Sequence, residues 1–136
     1  MFEILEHTAD IGFRARGRTA AELFETAAQA MASIALELDA VAERAEYPLH
    51  AQGADCEALL VNWLSEVLYW MDGKQLALRR FRVDAITATE VSGAAMGEPR
   101  DPARHRARLI VKGVTYHQLK VVETPEGWCA EVYLDI

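Results

Sequence analysis

Cysteine is scarce in this 136-residue sequence, and its scarcity excludes a disulfide scaffold. Cys56 and Cys129 are too few and too far apart for such a framework or for a zinc knuckle, so we interpret both as reduced packing residues. No apolar run approaches the roughly 20 residues of a membrane helix. Acidic residues and His7 interrupt the first ten positions, which is unlike a signal peptide. We therefore expect a cytoplasmic protein with no membrane partner.

Positive charge is also in short supply. The 14 Lys and Arg residues face 21 Asp and Glu residues, for a formal net charge of -7. Affinity for nucleic acid comes mostly from cations that neutralise phosphates, so we expect any link to RNA to be indirect. The sequence contains no P-loop, no Gly-rich dinucleotide turn, no HExxH pair and no nucleophile-elbow serine, which excludes several enzyme classes.

What the sequence does have is enough apolar material for one core. Its apolar content is 51% and its length is typical of one domain, so we expect a single domain over residues 1–136. A capping box of Thr19 and Glu22 predicts a first helix, whose apolar residues recur at spacings of three and four as far as about Leu38. A second amphipathic helix is predicted from Asp55 to a stop at 72–73.

Strand patterns surround the two helices. Apolar and charged residues alternate over 13–16 and 80–85, as in half-buried strands. Further strands are predicted at 109–111, 118–122 and 128–134, with a hairpin turn at 124–127 and a charged, Pro-containing loop at 97–107. The sequence therefore predicts an α+β fold: a two-layer sandwich with both amphipathic helices packed on one face of a mostly antiparallel sheet.

Two acidic positions are candidates for a metal site. Asp10 lies in the polar turn 7–12, and Asp135 precedes Ile136, whose main-chain carboxylate adds a second acid one residue away. If the last strand lies beside the Asp10 turn, these three oxygen-rich groups could hold calcium, magnesium or manganese. The alternatives are that Asp10 caps a turn and that the last two residues fray. Spacing alone does not separate these readings.

A third cluster lies at 112–117. Thr115, Tyr116 and His117 carry a hydroxyl, a phenol and an imidazole, which can orient water or the ligands of a metal. Alternatively, these residues are ordinary solvent-facing positions of a strand. His105 lies in the charged loop, where we expect a flexible surface residue.

Taken together, these segments resemble the archease family over essentially the whole chain. The resemblance is carried by the capped first helix, the Glu57-Ala58-Leu59-Leu60 start of the second helix, His7-Thr8-Ala9-Asp10-Ile11-Gly12, Val114-Thr115-Tyr116-His117 and the final Asp135-Ile136. Gly113, where many relatives would have Ala, is a small departure.

The resemblance implies a function. Archeases bind a divalent cation, which would be held here by Asp10, Asp135 and Ile136. They are activators rather than enzymes: they act on the RtcB-type GTP-dependent RNA ligase, promoting guanylylation of its active-site histidine and its repeated turnover in tRNA splicing or RNA repair.

On this basis a further group of residues is expected around the metal or against the partner. These residues are His7, His105, Thr115, Tyr116 and His117. Two other functions stay open. One is a general protein or RNA-modification chaperone that acts through apolar surface near Trp70 or Trp128. The other is a small metal-dependent phosphoester hydrolase with Asp10, Asp135 and His117 as base.

Overall fold

The computed structural model describes residues 1–6 and 10–136. The elements in chain order are β1 (Phe2–Glu6), β2 (Asp10–Gly17), α1 (Ala20–Ala35), β3 (Ala45–Gln52), α2 (Cys56–Leu68), β4 (Leu76–Ile86), β5 (Glu90–Pro99), β6 (Gly113–Thr124) and β7 (Gly127–Asp135). A short 3-10 turn (Leu38–Ala40) follows α1, and a π-helical turn (Tyr69–Gly73) extends α2. Across the described ranges, no helix combines the length and the apolar character needed to cross a membrane.

Within residues 1–6 and 10–136 the strands form two sheets, and every strand pair is antiparallel. The first sheet has the order β1-β2-β7-β6 and the second has the order β3-β5-β4. Helix α1 packs on β2 and β4, and α2 packs on β3 and β6, so each helix touches both sheets. The predicted α+β architecture of two helices on antiparallel strands is confirmed, with the strands divided between two sheets.

Both helices begin where their caps predict. The Thr19 hydroxyl accepts a hydrogen bond from the Glu22 amide at 3.1 Å, and the Asp55 carboxylate accepts one from the Ala58 amide at 2.8 Å. Helix α1 ends earlier than expected, because Leu36 adopts an extended conformation and forms an isolated bridge with Ala107.

The core lies between the helices and the sheets. Trp63 on α2 is completely buried, and its indole N–H donates to the Phe24 carbonyl of α1 at 3.0 Å. The two rings stand 6.3 Å apart in a tilted arrangement. This contact ties the helices to each other as well as to the sheets.

The segment predicted as a strand at 109–111 is not one. Leu109 and Ile110 are exposed, and the amides of Arg108 and Leu109 donate to the carbonyls at the end of α1 rather than to a strand. The apolar run that suggested a strand thus lies along a helix end. The predicted loop also begins later than residue 97, because β5 continues to Pro99.

Candidate functional site

Asp10 and Asp135 lie directly opposite each other. Asp10 begins β2, Asp135 ends β7, and the two residues pair in antiparallel register. Directly paired residues project to the same side of a sheet, with Cβ atoms about 4.5–5.5 Å apart. Their neighbours Ile11 and Leu134 are buried in the core, so the aspartates project from the outer face, away from the helices.

The end of β7 is held from both sides. On its other edge Asp135 pairs with Gly113 of β6, and the Lys112 amide donates to the Asp135 carbonyl at 2.7 Å. A Cβ added at Gly113 would stand 4.0 Å from the Asp135 carboxylate, an ordinary contact distance. Asp135 is therefore part of the sheet rather than of a frayed end, and Ile136, 39% exposed, follows it directly.

The next row of the outer face contains a residue that the sequence analysis missed. Tyr133 pairs with Gly12 on one side and with Thr115 on the other. A Cβ at residue 12 would stand 2.6 Å from the Tyr133 ring, so only glycine lets the ring lie over β2. The signal for Tyr133 was present in the alternation of Glu131, Tyr133 and Asp135, which places all three on one face.

A basic side chain further along this face is already paired. The guanidinium of Arg14 on β2 forms ion pairs with Glu131 on β7 and with Glu3 on β1. Arg14 lies two residues after Gly12 on β2, on the same face of the sheet. The positive charge of Arg14 is therefore paired with the residues directly across from it on β1 and β7.

Three of the predicted contact residues lie at an irregularity of β6. Residues 116–119 stand opposite the single residue Val132 of β7, and Gln118 has a φ of 55°, in the left-handed region. Such bulges redirect side chains and are frequent beside functional sites. Thr115 shares the outer face with Asp135, and its hydroxyl accepts from the His117 amide at 3.0 Å. Tyr116 and His117 are exposed on the bulge.

The expectation that His105 is a flexible surface residue is wrong. His105 is only 1% exposed, and both ring nitrogens are engaged. The Asp101 amide donates to Nδ1 at 2.8 Å, so Nε2 carries the proton and donates to the Glu98 carboxylate, also at 2.8 Å. His105 therefore has no ring atom to offer a metal or a partner. Its role is to hold the start of the loop that follows β5.

Glu98 is the centre of that buried network. Its carboxylate accepts from the Ala42 amide at 2.8 Å, forms an ion pair with Arg104 at 2.7 Å, and accepts from His105. These hydrogen bonds, with that of Ala42 the strongest influence, lower the pKa of Glu98 from 4.5 to about 2.

The lowered pKa of Glu98 predicts a specific acid sensitivity. A carboxylate whose pKa is lower in the folded state stabilises the fold above its unfolded-state pKa, and this contribution disappears as pH falls from about 4.5 towards 2. We expect Glu98→Gln to have a lower melting temperature than wild type at pH 7, and the difference to shrink below pH 4.5. Thermal denaturation of both proteins from pH 7 to pH 2.5 measures it; a difference independent of pH would contradict the assignment.

The donors at the aspartate pair are carboxylate oxygens. Among the described residues, no group of three or more His, Cys, Asp or Glu side chains is arranged to hold a metal ion. The predicted site consists of two aspartate side chains and one main-chain carboxylate. It therefore contains only two side chains of these types and does not form a group of three. His7, the remaining predicted contact, lies outside the described residues, as do Thr8 and Ala9.

Comparisons with known proteins agree over nearly the whole chain. Residues 2–136 match the archease protein family (MTH1598/TM1083). Proteins named archease from Methanosarcina mazei and Methanopyrus kandleri are 39% and 37% identical to it; each alignment covers 99% of this chain, and 95% and 99% of the relative. The solution structure of Methanobacterium thermoautotrophicum protein 1598 is 32% identical, with a TM-score of 0.85 over 99% of this chain and 98% of that one. A Thermotoga maritima crystal structure described as an archease and possible chaperone shares the fold, at 21% identity and a TM-score of 0.61 over 97% and 94% of the two chains.

Proposed function

The chain belongs to the archease family, and from that premise we propose that it is a metal-binding activator of an RtcB-type GTP-dependent RNA ligase. It would act in the cytoplasm, in tRNA splicing or RNA repair, by promoting guanylylation of the ligase and its repeated turnover. The observation that carries this proposal is the direct cross-strand pairing of Asp10 with Asp135 at the end of one sheet.

The chemistry of the aspartate pair fits a hard divalent cation. Like charges directly opposite each other on neighbouring strands destabilise a sheet, and a cation between them removes that cost. Calcium, magnesium and manganese all prefer oxygen ligands. Asp10 and Asp135 would supply two such ligands and the main-chain carboxylate of Ile136 a third. When bound, the cation would supply positive charge where the phosphates of a nucleotide need neutralising.

Charge and exposed side chains support docking of this end of the molecule into a partner. The protein carries a net charge of -7, which favours encounter with a basic cleft of the kind that binds RNA and GTP. Thr115 shares the outer face with Asp135, and Tyr116 and His117 project from the β6 bulge nearby. In the proposal these residues contact the ligase around the aspartate pair. The bond-forming chemistry stays with the ligase.

The test is the rate of ligase guanylylation with GTP and a divalent cation, with and without substoichiometric amounts of this protein. We expect the wild-type protein to accelerate guanylylation and to allow more than one ligation per ligase molecule. An unchanged rate would refute activation and leave the chaperone function to be tested with an aggregation assay. Phosphoester hydrolysis by the isolated protein would instead identify a hydrolase.

A further inference from the structure

An exposed stretch of mixed basic and apolar character follows the buried His105. In residues 106–110, here called the 106–110 segment, every residue is exposed. Ile110 is 77% exposed and Leu109 is 41% exposed, in a protein that buries most of its large aliphatic side chains. Leu109 and Ile110 thus place two large aliphatic side chains next to each other on the surface, where contiguous apolar area favours contact with a partner.

The 106–110 segment is held in place along the end of α1. The Glu37 amide donates to the Arg106 carbonyl, and the Arg108 amide donates to the Ala35 carbonyl, both at 3.0 Å. The Arg108 guanidinium also donates to the Ser33 carbonyl at 3.2 Å. The last turn of α1 has no basic residue, so Arg108 supplies the positive charge that favours a helix C-terminus. The segment therefore presents its side chains from a fixed backbone.

This segment adjoins the aspartate pair. Two residues after Ile110, the Lys112 amide bonds to the Asp135 carbonyl. Leu109 lines a groove of about 440 Å³ together with Ile4 and with Ile11, the residue that follows Asp10. Ile11 faces the helices, so this groove lies on the inner side of the same sheet end whose outer side carries the acidic pair.

The local charge of this region is opposite to that of the protein. Between residues 100 and 112 there are five Lys and Arg residues and a single acid, Asp101, whereas the whole chain is at -7. Arg100 and Arg106 form no ion pair with any residue in the part of the chain that the structure describes. Cations left unpaired beside exposed aliphatic residues complement a surface that combines an apolar groove with carboxylates.

We propose that the 106–110 segment is a second contact for the same protein partner that receives the Asp10–Asp135 pair. Leu109 and Ile110 would enter an apolar groove on that partner, and Arg106 would pair with carboxylates at its rim. A protein is favoured over RNA because aliphatic side chains neither stack on bases nor form hydrogen bonds with them. This inference rests on the proposed function, since it takes the ligase as the partner.

The test compares ligase binding by wild type, Leu109→Ser/Ile110→Ser and a control, Val122→Ser. Val122 is a 49% exposed aliphatic residue of β6, outside the 106–110 segment. We expect the double variant to raise the dissociation constant for the ligase at least tenfold, measured by calorimetry, while it keeps the wild-type melting temperature. The control should bind as wild type does. A second variant, Arg106→Glu, should weaken binding most at low salt.

Equal affinities of wild type and the double variant would overturn this inference, even where wild type accelerates guanylylation. If wild type does not bind the ligase at all, both this inference and the proposed function are wrong. A fluorescent single-stranded RNA is titrated in parallel with each isolated protein. Loss of RNA binding in Arg106→Glu, with ligase binding unchanged, would reassign the segment to RNA and overturn the protein contact.

Discussion

Calcium at 100 times its dissociation constant is expected to raise the free energy of unfolding of the wild-type protein by about 2.7 kcal/mol, and Asp135→Asn should abolish that gain. The reason is that a cation held between Asp10 and Asp135 binds only the folded sheet, where the two residues are paired. Thermal denaturation with calcium, magnesium or manganese, and again after addition of a chelator, measures the effect. The order of the three cations also identifies the preferred metal.

The matched control for the metal experiment is Gly113→Ala. This residue pairs with Asp135 from the opposite strand, and an added methyl group would stand at an ordinary 4.0 Å from the carboxylate. The control should therefore keep the full stabilisation by the metal. If Asp135→Asn is stabilised as much as wild type, the cation binds elsewhere and the aspartate pair is not the site.

Trp63→Ala is expected to be the most damaging substitution for the fold, at about 3–5 kcal/mol. Trp63 is completely buried, and its removal would leave a cavity between the two helices. The Phe24 carbonyl would also lose the indole N–H that donates to it at 3.0 Å. Because small domains are stable by only about 5–15 kcal/mol, much of the fold's stability would be lost. Urea unfolding followed by circular dichroism measures the difference.

Trp63→Phe separates the loss of the hydrogen bond from the loss of packing. Phenylalanine keeps an aromatic ring near Phe24 but has no N–H donor, so we expect a smaller cost, about 1–3 kcal/mol. Replacing Tyr69, which is 53% exposed just beyond the end of α2, by Ala should cost much less than either. A Trp63→Ala variant as stable as Tyr69→Ala would contradict the placement of Trp63 in the core.

The helices could be predicted because their signals are local. Thr19 and Asp55 each cap a helix with a side chain three residues from its donor, and the apolar spacing that follows depends only on the helix repeat. The β6–β7 hairpin was equally local, since Pro125 and Glu126 lie between its strands. Helix caps, helix repeats and tight turns depend on residues close together in the chain, so a sequence pattern is enough to predict them.

The site depended on contacts between distant parts of the chain, which no local pattern records. The sequence suggested Asp10 and Asp135 separately, but their pairing follows from the register of β2 with β7. His105 was misplaced for the same reason, because its burial depends on Glu98 and on the fold of the loop around it. Leu109 and Ile110 resembled a strand, although their backbone lies against a helix end.

The most direct test of the account is the rate of ligase guanylylation in the presence of Asp10→Ala, Asp135→Asn or wild type at equal concentrations. Melting temperatures measured beforehand establish that all three are folded. We expect acceleration by wild type and, with either variant, the rate seen with ligase alone. Acceleration by folded Asp10→Ala or Asp135→Asn equal to that of wild type would contradict the claim that this acidic pair activates the ligase.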